Sequence, residues 1–430
     1  MDLLLPKNWK SSKLENILDY VIGGDWGKDE SYIDSTYDFA YCIRGAEIKN
    51  WDLNKGNTAS LRKIKISNIQ KRKLEVGDIL VEISGGGPEQ PVGRTVLIDN
   101  ATLRFNSEIP KICTNFLRLI RPNKAVDPEF LNLYLKLFYY SGEIVKFQAG
   151  SNNLRNLKFP DFIKINVPLP PLATQLSIVS KIEELFSELD AGIANLKTAQ
   201  QQLKTFRQSV LKWAFEGKLT NKNVKDGELP KEWKRIRLGE VANSVDPQPS
   251  HRTPPEVKDG IPYVSIKDFD PEIDKIDFTK ARKVSTSVLE EHLNRYKLEI
   301  GDFVIGKIGT IGKPVRIVLP QNYTLSANIV LIQPRKIEAT YLYYFFQSNI
   351  IEKAFTAGIK ATTQAAFGIQ KVRELQIALP SKEEQNQIVQ EIENRLSVAD
   401  KMEESINQSL QQAEALRQSI LKKAFEGGLV

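Results

Sequence analysis

Two stretches carry a hydrophobic pattern long enough to predict helices unaided. In the first, Ile182, Leu189, Leu196, Leu203 and Val210 recur every seven residues. Ile178, Leu185, Ala199, Phe206 and Trp213 fill the partner positions of a heptad, with Gly192 as the gap. In the second, Ile392, Ala399, Ile406, Ala413 and Ile420 form one row and Ile388, Met402 and Leu416 the other, broken by Arg395, Ser409 and Lys423. The spacing predicts two long helices that bury their seams on each other as an antiparallel coiled coil. Pro170-Pro171 marks the first start, Ser381 with Glu384 reads as a capping box at the second, and Gly217 and Gly427 are the stops. About 45 residues at 1.5 Å each make a rod of roughly 65 Å.

The rest of the chain reads as strands and turns. Gly77-Asp78-Ile79-Leu80-Val81 and Gly301-Asp302-Phe303-Val304-Ile305 are turn-then-strand signals, and aliphatic runs follow at 95 to 98 and 315 to 319. Helical stretches near 128 to 147 and 340 to 356 complete two α/β (α+β) globules. The order is globule, helix, globule, helix.

This order is an internal repeat. Residues 206–220 and 416–430 are identical at ten of fifteen positions with a constant offset of 210. The same offset pairs Leu169 and Pro170 with Leu379 and Pro380, Gln175 with Gln385, Ile178 and Val179 with Ile388 and Val389, and Asp190 with Asp400. A fainter echo at 224 links Pro6, Trp9 and Leu14 to Pro230, Trp233 and Leu238, and Gly77-Asp78 to Gly301-Asp302. Little else matches between the globules. The boundaries drawn are 1–165 and 226–375 for the globules, and 166–225 and 376–430 for the helical regions. One chain therefore imitates a homodimer with divergent globules, a form suited to two different DNA half-sites at fixed spacing.

Composition narrows the chemistry. The 430 residues hold two cysteines, Cys42 and Cys113, and two histidines, His251 and His292, too few for a structural zinc site or a disulfide framework. A phosphate-binding loop fails because Gly312-Lys313 is followed by Pro314 and Lys307 stands where the first glycine belongs. Thr253-Pro254-Pro255-Glu256 and Leu169-Pro170-Pro171-Leu172 lack the amide and aromatic of an adenine-methylase loop. Gly85-Gly86-Gly87 reads as a surface turn, and Glu47-Ile48-Lys49 as an accidental fragment of a nuclease pattern. The N-terminus has no basic region before its short apolar run, and no stretch reaches membrane-spanning length. A soluble, cytoplasmic protein is expected.

The net charge of +7 suits an acidic partner. Arg62, Lys63, Lys65, Lys71, Arg72 and Lys73 place six cations in twelve residues before Gly77, and Lys280, Arg282 and Lys283 hold a comparable place before Gly301. Contacts of this kind position a protein on phosphates, although each lysine also fits a solvated face. Arg94 and Lys313 follow the turn-strand element at glycine-containing loops, where groove contact and plain turn chemistry both fit. Arg44, Lys267, Lys307 and Arg316 complete the candidate set.

Val167-Pro168-Leu169-Pro170-Pro171, the helix carrying Gln175, Ile178 and Ile182, and the closing Arg207-Gln208-Ser209 to Ala214-Phe215-Glu216-Gly217-Lys218-Leu219 recur at the C-terminus. This pattern resembles the conserved regions of specificity subunits of type I restriction-modification systems, and the likeness covers the whole chain. Tyr41 to Arg44 and Tyr263 to Lys267 also resemble family landmarks, while Ala378 and Ser381 depart from Pro168 and Pro171. The resemblance implies two target-recognition domains that read a bipartite, asymmetric DNA sequence, with the helices setting the gap. It implies a non-catalytic chain without cofactor, assembled with two modification subunits and with restriction subunits. S-adenosylmethionine, ATP and Mg2+ would sit on those partners. Two other readings stay open: a detached recognition part of a fused restriction-methylation enzyme, and a coiled-coil scaffold that binds no DNA.

Overall fold

The computed structural model describes residues 5–87, 90–150, 155–307, 312–360 and 368–429, with side chains described only to 356 in the fourth span. The start of the N-terminal apolar run, 1–4, lies outside them. Contacts divide the chain into two units, Met1–Leu196 with Gln408–Val430, and Lys197–Asn407.

In the first unit the alternating aliphatic runs form an antiparallel four-stranded sheet in the order Leu18–Gly23, Leu117–Pro122, Ile79–Glu82, Thr95–Leu97. A second sheet sets Tyr37–Ile43 between Ser60–Lys65, antiparallel, and Lys111–Cys113, parallel. The helix α1 (Pro128–Tyr140) buries Phe130, Leu131, Tyr134 and Leu137 in the main core. Its start follows from sequence: Pro128 needs no N–H partner, and the Asp127 carboxylate accepts from Phe130 N–H at 2.9 Å. Lys10–Lys13 pairs with Asn166–Leu169, and the latter leads into the long helix α2 (Leu172–Phe215).

The second unit repeats this wiring with other residues. Its four-stranded sheet runs Ala242–Val245, Ile329–Pro334, Phe303–Gly306, Pro314–Arg316, and its three-stranded sheet runs Arg282–Val284, Ile261–Val264, Thr324–Leu325. The helix α3 (Ala339–Gln347) is capped by Glu338, whose carboxylate accepts from Tyr341 N–H at 2.5 Å. Lys234–Arg237 pairs with Gln376–Leu379, which leads into α4 (Lys382–Phe425).

The identities that survive between the copies are hinge chemistry. Gln175 is fully buried; its oxygen accepts from Asp127 N–H at 2.8 Å and its amide donates to the Pro170 carbonyl at 2.9 Å. Gln385 makes the same pair of bonds, to Glu338 N–H at 2.8 Å and the Pro380 carbonyl at 3.0 Å. Gly217 and Gly427 both end their helices at φ 78°. A Cβ on Gly217 would lie 2.5 Å from Pro230 Cγ, and one on Gly427 would strike Pro6, so the prolines that the 224 offset pairs leave room only for glycine at these stops. At the turns before the central strands, Asp78 accepts from Glu75 N–H at 2.7 Å and Asp302 from Glu299 N–H at 3.0 Å. The Gly-Asp turn shared by the two globules is thus a folding element.

Within each unit, segments of α2 and α4 pack antiparallel. In the first, Ile178 and Ile182 share a core with Leu421 and Phe425, and Asp190 pairs with Arg417. In the second, Val210 and Phe215 share a core with Ile388 and Ile392, and Arg207 reaches Asp400 at 2.6 Å and Glu403 at 2.8 Å. Asp190, Asp400, Arg207 and Arg417 are equivalent at the offset of 210, so one ion-pair design occurs twice. All eight primary seam residues, Ile182, Leu189, Leu196, Leu203, Val210, Ile392, Ile406 and Ile420, are buried or half-buried.

The second heptad row holds in part: Ile178 and Ile388 are buried and Leu185 and Ala199 half-buried. Phe206, Trp213, Met402 and Leu416 are exposed, at 37%, 40%, 54% and 49%, whereas their neighbours Arg207, Ala214, Glu403 and Arg417 turn inward. A straight helix of 3.6 residues per turn drifts about 20° per heptad against a 3.5 repeat, so the inward row moves on by one residue. The capping box is also only half formed. Ser381 Oγ accepts from Glu384 N–H at 3.2 Å, but the Glu384 carboxylate accepts from Trp233 Nε1, Thr220 and Asn221 instead of returning to Ser381.

Candidate nucleic-acid interface

The cations singled out from sequence separate into those held by carboxylates and those left available. Arg44 binds Glu47 at 2.5 Å, and Glu47 is buried. Arg94 binds the buried Glu82 through two contacts of 2.5 and 2.9 Å and also donates to the Gly45 carbonyl. Its loop therefore follows turn chemistry. Lys307 is held by Asp246 at 2.8 Å, Lys313 by Glu272 at 2.6 Å and Arg316 by Asp274 at 2.5 Å, with the Arg316 guanidinium 3.8 Å above the Tyr343 ring. Arg94, Lys307, Lys313 and Arg316, the candidate cations beyond the central turn, thus each hold a carboxylate, Lys313 and Arg316 at the surface.

The cations before that turn are divided: Arg62 and Arg282 each hold a carboxylate, whereas several lysines beside them do not. In the first unit, Arg62 and Lys63 lie on Ser60–Lys65, beside Tyr37–Ile43. Arg62 donates to the Trp26 carbonyl at 3.2 Å, pairs with Asp29 at 3.1 Å and stacks 4.5 Å from the Trp26 ring. The Lys63 ammonium stands 3.6 Å from the Phe39 ring centroid. Lys65, Lys71 and Lys73 are exposed and have no hydrogen-bonded carboxylate among the described residues, while the half-buried Arg72 donates to the Gly23 carbonyl at 2.9 Å. Trp26 and Tyr32, exposed at 37% and 38%, stand with Lys28 beside this strand. Basic and aromatic groups interleaved in this way suit nucleic-acid backbone and base faces. Sequence reasoning passed over Trp26 and Tyr32, although an aromatic-basic alternation was there to be read.

In the second unit, Lys267, Lys280 and Arg282 line one concavity, while Lys283, next along the strand, is exposed. Arg282 repeats the role of Arg62: it donates to the carbonyl of the preceding loop, Pro254, at 3.3 Å and pairs with Glu256 at 3.2 Å. Nearby, His292 is wholly buried. Its Nε2 donates to Gln248 Oε1 at 2.5 Å, which leaves Nδ1 to accept from the Thr324 hydroxyl, with the Tyr296 hydroxyl 3.2 Å from both, and burial lowers its pKa. This network holds Gln248, whose amide donates to the Arg252 carbonyl and the Ser250 hydroxyl and so shapes the 246–252 loop.

Lys136 is a further residue the pattern did not mark. It interrupts the apolar face of α1, lines a concavity of about 440 Å3 with Trp51, Arg94, Tyr139 and Tyr140, and has its pKa lowered by burial. A lone lysine in an apolar helix carries no spacing signal.

Comparison with known proteins adds an independent line. A family model for the type I restriction modification DNA specificity domain matches twice, over residues 6–204 and 230–412. The type I restriction enzyme EcoKI specificity subunit of Escherichia coli (strain K12) is 27% identical over 99% of this chain and 90% of its own length. The StySPI specificity subunit of Salmonella potsdam is 26% identical with the same coverage. Among solved structures, a chain from work on complex assembly and conformational transition of the type I R-M system aligns with a TM-score of 0.69 at 19% identity, covering 99% of both chains. The HsdS subunit of Thermoanaerobacter tengcongensis aligns with a TM-score of 0.58 at 19% identity over 99% of this chain and 98% of that one, which speaks for the fold. With two matched copies that together span most of its length, the chain belongs to the family of type I restriction-modification DNA specificity proteins.

Proposed function

We propose that this chain is the DNA-reading subunit of a type I restriction-modification complex, with one half of a bipartite, asymmetric target recognised by each globule and the gap set by the helices. The observation that carries the reading is the contrast within the duplication. Hinges, caps and ion pairs are kept in both units, and so is the Arg-Lys pair of Arg62-Lys63 and Arg282-Lys283, but the neighbours of that pair differ: Trp26, Tyr32 and Phe39 in the first unit, Tyr263, Lys267 and Asn328 in the second. A shared scaffold with divergent faces is what two unlike half-sites require.

The chain is non-catalytic in this reading. Two modification subunits supply S-adenosylmethionine and methylate adenine, restriction subunits supply ATP and Mg2+ chemistry, and the complex works in the cytoplasm. Apolar side chains on the outer faces of the helices, Leu172, Leu176 and Leu416 in one unit and Phe206, Trp213, Val398 and Met402 in the other, favour partner subunits that cover them. No helix among the described residues is long and apolar enough to cross a membrane.

The test is sequencing of methylated adenines in a host that carries the chain with its neighbouring modification gene, against a host with that gene alone. A bipartite motif that depends on the chain is the expected result. A stable complex that writes no such motif would leave the scaffold reading in its place.

A further inference from the structure

Between the strand Ile261–Val264, its neighbour Arg282–Val284 and the turn after Thr324–Leu325, the second unit opens a concavity of about 580 Å3. Tyr263, 4% exposed, forms part of its lining. Most polar groups around it are already committed. Arg282 is engaged with Glu256 and the Pro254 carbonyl, the Ser265 hydroxyl donates to Asp268 at 3.0 Å, and Lys280 stands 3.6 Å from Asp277. The side-chain oxygen of Asn328 accepts from Ile266 N–H at 3.4 Å and from the Ser326 hydroxyl. Because Ile266 N–H can only donate, that bond fixes which end of the Asn328 carboxamide faces the protein.

The Asn328 amide NH2 and the ammonium of the exposed Lys267 are uncommitted among the described residues, and the buried Tyr263 hydroxyl has no hydrogen-bond partner either. The amide and the ammonium only donate, and the hydroxyl can turn to donate as well. In the major groove guanine alone presents two acceptors side by side, N7 and O6. Adenine pairs an acceptor with a donor, cytosine offers a donor, and thymine one acceptor beside a methyl. Resting on the DNA-reading function above, we propose that this concavity reads a guanine of the second half-site, with Lys267 and Asn328 donating to O6 and N7.

A phosphate would accept from the same two donors, and the experiment separates the cases. A plasmid library randomised across the half-sites is methylated in a host carrying the full chain with its modification subunit, as wild type and as the Lys267→Ala/Asn328→Ala double variant. The half-site that follows residues 226–375 in a domain exchange is the one to inspect. Guanine reading predicts that one position there loses its preference by roughly ten- to a hundredfold, the range set by one good base contact. The other half-site stays unchanged and serves as the control for folding and assembly.

A wild-type motif with no guanine in that half overturns the proposal. So does a double variant that keeps all base preferences while its purified complex binds every sequence more weakly with a shallower salt slope, the mark of a phosphate contact. Loss of all methylation by the double variant is followed by Lys267→Gln alone, with assembly checked by size-exclusion chromatography; an intact complex that still writes nothing also counts against base reading. A wild-type chain that writes no bipartite motif sinks the underlying function instead, so the two failures are distinct.

Discussion

Phe425 offers the sharpest test of how the C-terminal helix docks. It is fully buried in the first unit, its ring 5.0 Å from Phe130 and 5.3 Å from Tyr134, in the same cluster as Ile178 and Ile182. Truncating a ring in such a place costs about 3 to 5 kcal/mol, since the site loses both the transfer free energy and the contacts around the void. For a unit of this size each kcal/mol lowers Tm by about 2 to 4 °C, so Phe425→Ala is expected to drop the first unit's transition by roughly 6 to 20 °C. Leu416 is the matched comparison. The heptad reading puts it in the seam, but it is 49% exposed. Leu416→Ala removes less than about 1 kcal/mol of burial, and alanine's helix propensity offsets part of that. Differential scanning calorimetry of the full chain reads both variants. Equal losses from the two, or a loss below about 1 kcal/mol from Phe425→Ala, would refute both the shifted helix register and the docking of α4 in this core.

Three further outcomes are expected. Cys42 and Cys113 are buried and their thiols pushed up to about 12 by burial, so the folded protein should show no reaction with a thiol reagent at pH 8 until denaturant is added; prompt native labelling would contradict their placement. The buried, pKa-lowered His292 binds its proton more readily in the unfolded chain, so its contribution to stability is complete above about pH 6.5 and is lost as pH falls below that value, by at most about 1.4 kcal/mol per pH unit. Urea denaturation at pH 7 and pH 5 should therefore show a smaller pH penalty for His292→Gln than for the wild type, and equal penalties would remove this histidine from the acid response. Charge reversal at Lys65, Lys71 and Lys73 should weaken DNA binding by the assembled complex at all sequences and flatten its salt dependence, by about 0.9 in slope for each lysine that meets a phosphate; an unchanged slope would take this edge out of the interface.

The architecture was legible in the chain because it is written as repetition. Ten identities in fifteen positions, the apolar rows and the paired Gln175 and Gln385 imposed two long helices and two like globules, since hinge bonds and buried stripes tolerate few residue types. What sequence spacing could not supply was the rotation of the helices. A heptad read on paper assumes 3.5 residues per turn, while the folded helices keep nearer 3.6, and that difference places Arg207 and Arg417 inward and Phe206 and Leu416 outward.

The cations were equally visible as residues, but whether a cation is available depends on which carboxylate the fold brings to it. Glu82 lies twelve residues from Arg94, Asp246 sixty-one from Lys307 and Asp274 forty-two from Arg316, separations at which no local rule applies. Tertiary structure alone paired these side chains with carboxylates, left Lys65, Lys71 and Lys73 exposed, and brought Lys267 and Asn328 into one concavity. Sequence determined the scaffold because local periodicity and backbone caps act over a few residues; the reading surfaces were decided by long-range pairing, which only the folded chain carries out.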